Sequence, residues 1–155
     1  MILKRKCLTI LLFFLCLTPV YGAQSLSFDC RRSEKDYIEE YEMKVVPASG
    51  SQKAKVYLDH RDLDQSDSNG TQIIKSVVLS PAIILITVDA YFDPEVVHGV
   101  PYPAGKVLTQ ISLNRNSGQL KKVETIQGGI LGVNLGEGTR VWEEQCTLKT
   151  ETNPK

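Results

Sequence analysis

Along most of the chain, apolar and polar residues alternate one by one. Leu26, Phe28 and Cys30 interleave with Ser25, Ser27 and Asp29, and a period of two marks a strand with one face in a core. Tyr41, Met43 and Val45 alternate with Glu40, Glu42 and Lys44, then Ala54, Val56 and Leu58 with Lys53, Lys55, Tyr57 and Asp59. A helix over residues 34–43 competes for the second stretch, but Val45, Val46 and Pro47 close it with β-branched residues and favour a strand from Tyr41 on. Residues 31–36 are charged and suit one short turn of helix capped by Ser33. Residues 71–79 and 82–91 are the most β-branched part of the chain, and Pro81 between them begins a strand rather than interrupting one. The uncharged run of residues 83–88 predicts a central strand buried on both faces. Residues 107–115 and 119–127 flank a tight turn over residues 114–118, and residues 140–148 form the last strand.

Three stretches break the pattern. Residues 60–69 read as a polar loop ending in the turn signal Asn69-Gly70. Residues 92–106 read as a long loop stiffened by Pro94, Pro101 and Pro103. Residues 128–138 hold five glycines and predict a bent strand with tight turns. The expectation is an all-β domain, a single antiparallel barrel or sandwich of about eight strands.

The first residues change the compartment. Lys4, Arg5 and Lys6 precede an apolar run over residues 7–20 without charge, broken by Pro19 and followed by the small residues Gly22 and Ala23. This is the three-part pattern of a signal peptide, expected to be cleaved after Gly22, with Ala23 the next choice. The run is shorter than the roughly 20 residues of a bilayer span, so no stable membrane span is expected after cleavage. Residues 23–149 form the single predicted domain and residues 150–155 a polar tail expected to be disordered. Removing residues 1–22 takes three of eighteen basic residues and none of eighteen acidic ones, leaving a charge of −3. That argues against a nucleic-acid binder, which carries a basic stripe. It also leaves only Cys30 and Cys146, an even pair in an oxidising compartment, expected to be a disulfide joining the terminal strands.

Candidate chemistry is sparse. Residues 59–70 cluster Asp59, Asp62, Asp64 and Asp67, hard ligands suited to calcium, but no frame matches an EF-hand loop and a solvated loop is the expectation. His60 and His98 are the only imidazoles, too few for a zinc site. No nucleophile elbow is present, and the glycine stretch lacks the lysine and the strand-helix context of a phosphate loop. No metal and no cofactor are expected. The proline-stiffened loop carries Tyr91, Phe92, His98 and Tyr102, and these are the predicted binding residues, since rigid aromatic loops lose little entropy on binding. The competing expectation is that the rings cover one end of the core.

The hairpin Gln110-Ile111-Ser112-Leu113-Asn114-Arg115-Asn116-Ser117-Gly118-Gln119-Leu120, with Cys146 near the chain end, resembles one found in many small exported bacterial proteins of unknown function. The resemblance implies a periplasmic β-rich domain and transfers no catalytic residue. These observations favour a periplasmic or secreted binding or accessory module without catalytic activity, such as an inhibitor or an envelope-associated protein, whose partner is an unidentified protein or envelope component. A small carboxylate-dependent hydrolase acting on envelope polymers and a carrier of a small apolar ligand are the alternatives. One residue resists the bland account. Alternation puts Trp142, Glu144, Cys146 and Leu148 on one face, so a core-facing Cys146 forces Glu144 inward. Glu144 is then at a sheet edge, or has a buried partner such as Arg31 or Arg140, or a bulge shifts the register.

Overall fold

The computed structural model describes residues 24–149; the expected signal peptide and the tail over residues 150–155 lie outside them. The chain runs through β1 (Leu26–Glu34), β2 (Tyr37–Val46), β3 (Lys55–Leu58), β4 (Arg61–Asp62), β5 (Gln65–Asp67), β6 (Gly70–Leu79), β7 (Ile83–Phe92), β8 (Glu95–Val97), β9 (Val100–Tyr102), β10 (Gly105–Asn114), β11 (Gln119–Gly128), α1 (Gly129–Leu135) and β12 (Gly138–Leu148). Ten strands form one antiparallel sheet in the order β4-β3-β2-β1-β12-β11-β10-β7-β6-β5. It curls into a nearly closed barrel. β8 and β9 make a separate hairpin between β7 and β10.

Almost every neighbour in the barrel is the next strand in sequence, so hairpin turns do most of the work of pairing. The exceptions are β7 with β10, which flank the β8–β9 hairpin, and the seam where β1 meets β12. The ladder at that seam is short, running from Phe28 opposite Leu148 to Arg31 opposite Gln145, and at its centre Cys30 lies opposite Cys146. The Cys146 N–H donates to the Gly118 carbonyl at 2.7 Å, away from Cys30. The two cysteines therefore occupy a site without mutual backbone bonds, where facing side chains come closest. Their Cα atoms are 4.0 Å apart and the sulfurs are bonded. The disulfide expected from the sequence is present across the terminal strands.

The turn of residues 114–118 reinforces this seam. Asn114 Oδ1 accepts the N–H groups of Asn116 and Ser117. Gly118 has φ 74°, and a Cβ there would lie 2.1 Å from the Cys146 carbonyl oxygen. Only glycine fits.

The other closure, between β4 and β5, relies on irregular bonds. The Leu63 N–H donates to the Val56 carbonyl at 2.9 Å. The Gln72 amide donates to the Leu63 carbonyl at 2.9 Å, and the Ile74 N–H to Asp64 Oδ1 at 2.6 Å. Asp64 thus caps a backbone group that a full ladder would have paired.

The main core fills one end of the barrel with Phe28, Met43, Val45, Val56, Leu63, Ile84, Ile86, Val88, Ile111, Leu113, Leu120 and the cystine. A second apolar cluster of Ala90, Val107 and Ile126 is covered by Phe92 and by Leu131 of α1. Several expectations are corrected. Among the described residues the strands number twelve rather than about eight, because β4, β5, β8 and β9 are too short to show a period and sit inside stretches that read as loops. The charged residues 31–34 continue β1 instead of forming a helical turn; Arg31 and Arg32 pair across the hairpin with Glu40 and Glu39. β7 is buried along one face; the other is mixed, with Leu85 exposed and Asp89 buried. The glycine stretch holds α1, because the backbone of Gly129 packs on Gly105, where a Cβ would meet its Cα at 2.6 Å.

The disulfide closes a span of 116 residues, for which chain entropy alone gives on the order of 4–5 kcal/mol. Replacing Cys30 and Cys146 together by alanine should lower the unfolding free energy by about 2–5 kcal/mol. Urea denaturation of the oxidised wild type against the double variant measures this.

Candidate functional site

Between the two apolar clusters the barrel interior turns polar on one side. The register gives the cause. Ile84, Leu113 and Leu120 lie in one row that ends on Glu144; the next row runs Ile86, Ile111, Lys122, Trp142; the third runs Val88, Thr109, Glu124, Arg140. Each row is aliphatic on β7 and changes to charged residues by β11 or β12. Tyr41 and Glu39 continue the polar side on β2, beside Arg32 of β1.

Glu144 is at the centre. Its side chain is 1% exposed. Oε2 accepts a short hydrogen bond from the Tyr41 hydroxyl, which reaches past β1 to make it. Oε1 has no hydrogen-bond partner. Lys122 Nζ stands 4.0 Å from that oxygen, 3.7 Å from Glu124 Oε1 and 5.0 Å from the centre of the Trp142 ring. Both ion-pair distances exceed a direct hydrogen bond, so the ammonium is held by charge and by the ring face while its N–H groups stay uncommitted. Of the three expectations for Glu144, a buried partner is what occurs, but the partners are Tyr41 and Lys122. Arg31 faces outward to Glu40, and Arg140 lies opposite Glu124 on the neighbouring strand. Cross-barrel contacts depend on strand stagger, which alternation along one strand does not encode.

The Tyr41 hydroxyl is pushed far above the ordinary tyrosine range, first by burial, then by its hydrogen bond to Glu144 and the charges of Glu144 and Glu39; Arg32 opposes this weakly.

Tyr41 and Lys122 also line a cavity of about 360 Å³, together with Glu39, Leu58, Asp59, Arg61 and Ile111. That volume lies within the usual range for small-molecule pockets, roughly 300–1,000 Å³. Asp59 and Arg61 reach it from the β3–β4 turn. Leu58 pairs with Arg61, so Asp59 and His60 are the two central turn residues, with φ 46° and 66°. Two consecutive positive φ values define the turn that matches strand twist, and it normally takes Asn-Gly. A histidine there is strained by about 1 kcal/mol or more.

The residues predicted from the sequence fall elsewhere. Tyr91 and Phe92 adjoin on β7 and so face opposite ways. Phe92 covers the second apolar cluster, as the core-cover expectation had it. Tyr91 is on the outside, where its hydroxyl donates to Asp89 at 3.2 Å and Lys106 lies 5.2 Å from its ring. His98 has φ 53° in the β8–β9 turn with Gly99 at 81°, and Tyr102 ends β9, opposite Glu95. Tyr91 and Phe92 together line a cavity of about 180 Å³, which neither His98 nor Tyr102 lines. The acidic residues of 59–70 are used locally: Asp62 Oδ1 accepts the Asp64 N–H, and Asp67 Oδ1 the Asn69 N–H. Among the described residues no three His, Cys, Asp or Glu side chains are placed to hold a metal. The charge-lined cavity has no motif of its own in the sequence; Glu144, whose inward position alternation implies, contacts the lining residue Tyr41 without lining the cavity itself.

No family model, curated protein or solved structure matches this chain. Its function is argued from the site alone.

Two outcomes are expected here. The folded state holds Tyr41 protonated above its ordinary value of 10.0, while the unfolded chain releases that proton near pH 10. The folded state then binds more protons, so stability falls as pH rises above about 10, with a limiting slope of about 1.4 kcal/mol per pH unit from this group. Tyr41→Phe should lose stability at neutral pH, by about 1–3 kcal/mol for the carboxyl left without its donor, and should show a shallower alkaline decline; urea denaturation at pH 7 to 11 reads both. Separately, His60→Gly should raise the urea midpoint, by about 1 kcal/mol of stability, by relieving the turn.

Proposed function

We propose that this chain is an exported, non-enzymatic binding module of the periplasm or the extracellular space that holds a small polar ligand in the side of its barrel. The observation that carries this is the charge-lined cavity of about 360 Å³, walled by the two residues that bury Glu144. Buried polar groups ordinarily fill their hydrogen-bonding capacity, and an exception points to a functional use. Glu144 Oε1 is such an exception; it is not itself among the lining residues and is linked to the cavity through Tyr41 and Lys122.

Binding is favoured over turnover by the way these groups are already committed. A hydrolase acting through carboxylates would need Glu144 open to its substrate, yet its side chain is shut in by the core. A carrier of apolar molecules is favoured less, because Glu39, Asp59, Arg61 and Lys122 line the cavity beside only two aliphatic residues. Stripping water from four charged groups is unfavourable unless the ligand returns polar partners. The side-chain stock thus supports a ligand that competes with water by hydrogen bonds and charge.

A ligand that binds only the folded state stabilises it, by about 2.7 kcal/mol at a hundred times its Kd. Fractions of a bacterial envelope small-molecule extract should include one that raises the thermal midpoint of the oxidised protein, and native mass spectrometry should show the same mass retained and recovered chemically unchanged. If no fraction shifts the midpoint and nothing is retained, the binding reading falls. Recovery of an altered molecule would make the protein an enzyme.

A further inference from the structure

The four charges of the cavity specify more than polarity. Glu39 gives Oε2 to Arg32 at 2.8 Å, which leaves Oε1 clear of that bond. Asp59 gives Oδ1 to the Glu42 N–H at 2.8 Å, leaving Oδ2. Lys122 has ion-pair neighbours only beyond hydrogen-bond reach. Arg61 makes no ion pair among the described residues and lines the cavity from the strained turn. Each charged residue therefore keeps a polar atom or donor set uncommitted, two of each sign, and the lining sums to no net charge. Leu58 and Ile111 supply an apolar contact between them.

This pattern discriminates among ligand classes. A lone anion meets two cations but also two carboxylates. A lone cation meets the reverse. A neutral polyol supplies only dipoles to the four charges that a ligand would cover, and these recover far more from opposite charge than from a hydroxyl. A molecule bearing one cation and one anion matches both halves and keeps the site neutral.

We infer that the cavity takes a small zwitterion of the amino-acid or short-peptide class, its carboxylate held by Arg61 and Lys122 and its ammonium by Glu39 and Asp59, with an apolar body on Leu58 and Ile111. This rests on the reading of the barrel as a binding module and narrows it. Lys122 lies over the chain's single tryptophan, so a carboxylate that draws the ammonium changes Trp142 emission.

The test is a fluorescence titration of the oxidised protein with L-leucine and the dipeptide alanyl-alanine. Each is compared with its N-acetylated form, which lacks the ammonium, and its C-terminal amide, which lacks the carboxylate; trehalose is the polyol control. At least one free zwitterion should saturate, and removing either charge should weaken it about tenfold or more, the size of a lost charge-assisted hydrogen bond. Arg61→Gln should remove the preference for the free acid over the amide. Asp59→Asn should remove the preference for the free amine over its acetylated form, and it keeps both the positive φ and the acceptor for Glu42. A merely structural role would weaken all probes alike. Equal binding of a charge-deleted analogue, or binding of trehalose alone, overturns the zwitterion class and leaves the binding module standing. Silence with every probe overturns the class too; whether the module also falls is then decided by the retained-mass measurement.

Discussion

The disulfide sets the parity of β12, and much of the interior follows from that. Cys146 must point inward to meet Cys30. In a strand with a period of two, Trp142 and Glu144 must then point inward as well. No local adjustment intervenes, since the ladders of β12 to β1 and to β11 run without a bulge. A carboxyl group is therefore driven into an otherwise aliphatic row. The barrel answers with Tyr41 from two strands away and Lys122 from the strand beside it. The seam that gives the domain its covalent closure is also what drives Glu144 into the interior; the other buried acid among the described residues, Asp89, lies on β7.

This arrangement is not what stability alone would select. Replacing a buried polar set by well-packed apolar residues is often neutral or favourable, whereas removing one member is costly. Here the row beside Glu144 is filled by Ile84, Leu113 and Leu120, so an aliphatic residue at 144 would extend a core already present. The charged side persists with one oxygen of Glu144 lacking a donor and with a lysine held at distances that water, rather than direct contact, would bridge. The strained turn at Asp59 and His60 points the same way. It departs from the favoured turn chemistry at Asp59, one of the cavity's four charged residues, and at its neighbour His60. Strain in a backbone persists only where surrounding structure maintains it, and it concentrates at binding sites.

The sequence exposes the strands better than the site. The alternation in residues 26–30, 41–45 and 107–113 is set by one-sided burial, and those strands appear where the pattern puts them. Short strands escape because two or three residues cannot display a period. The run of residues 83–88 misleads for a different reason. Leu85 is apolar yet outward-facing, opposite Val78 on β6, and both are exposed. Apolar cross-strand pairs favour pairing without being buried, so composition overstates burial there. The helix α1 is hidden because its glycines serve backbone contact with β10, not chain reversal.

The site was legible only in part, and the limit is geometric. Parity along a single strand shows that Glu144 faces inward; it does not show which residue lies across the barrel. That depends on how far each strand slides along its neighbour, and in a closed sheet the offsets accumulate. From β2 to β12 two ladders intervene, and together they bring Tyr41 to Glu144 and turn Arg31 to the outside. The aromatic loop drew attention because proline and rings are conspicuous in sequence. The cavity draws on β2, on β3, on the β3–β4 turn, on β4, on β10 and on β11, with no two adjacent residues forming a motif except around Asp59. A binding site assembled from single inward positions on many strands leaves almost no trace in any one of them. What it does leave is a polar residue where the period demands an apolar one, which makes Glu144, Lys122 and Glu124 the readable signal in this chain.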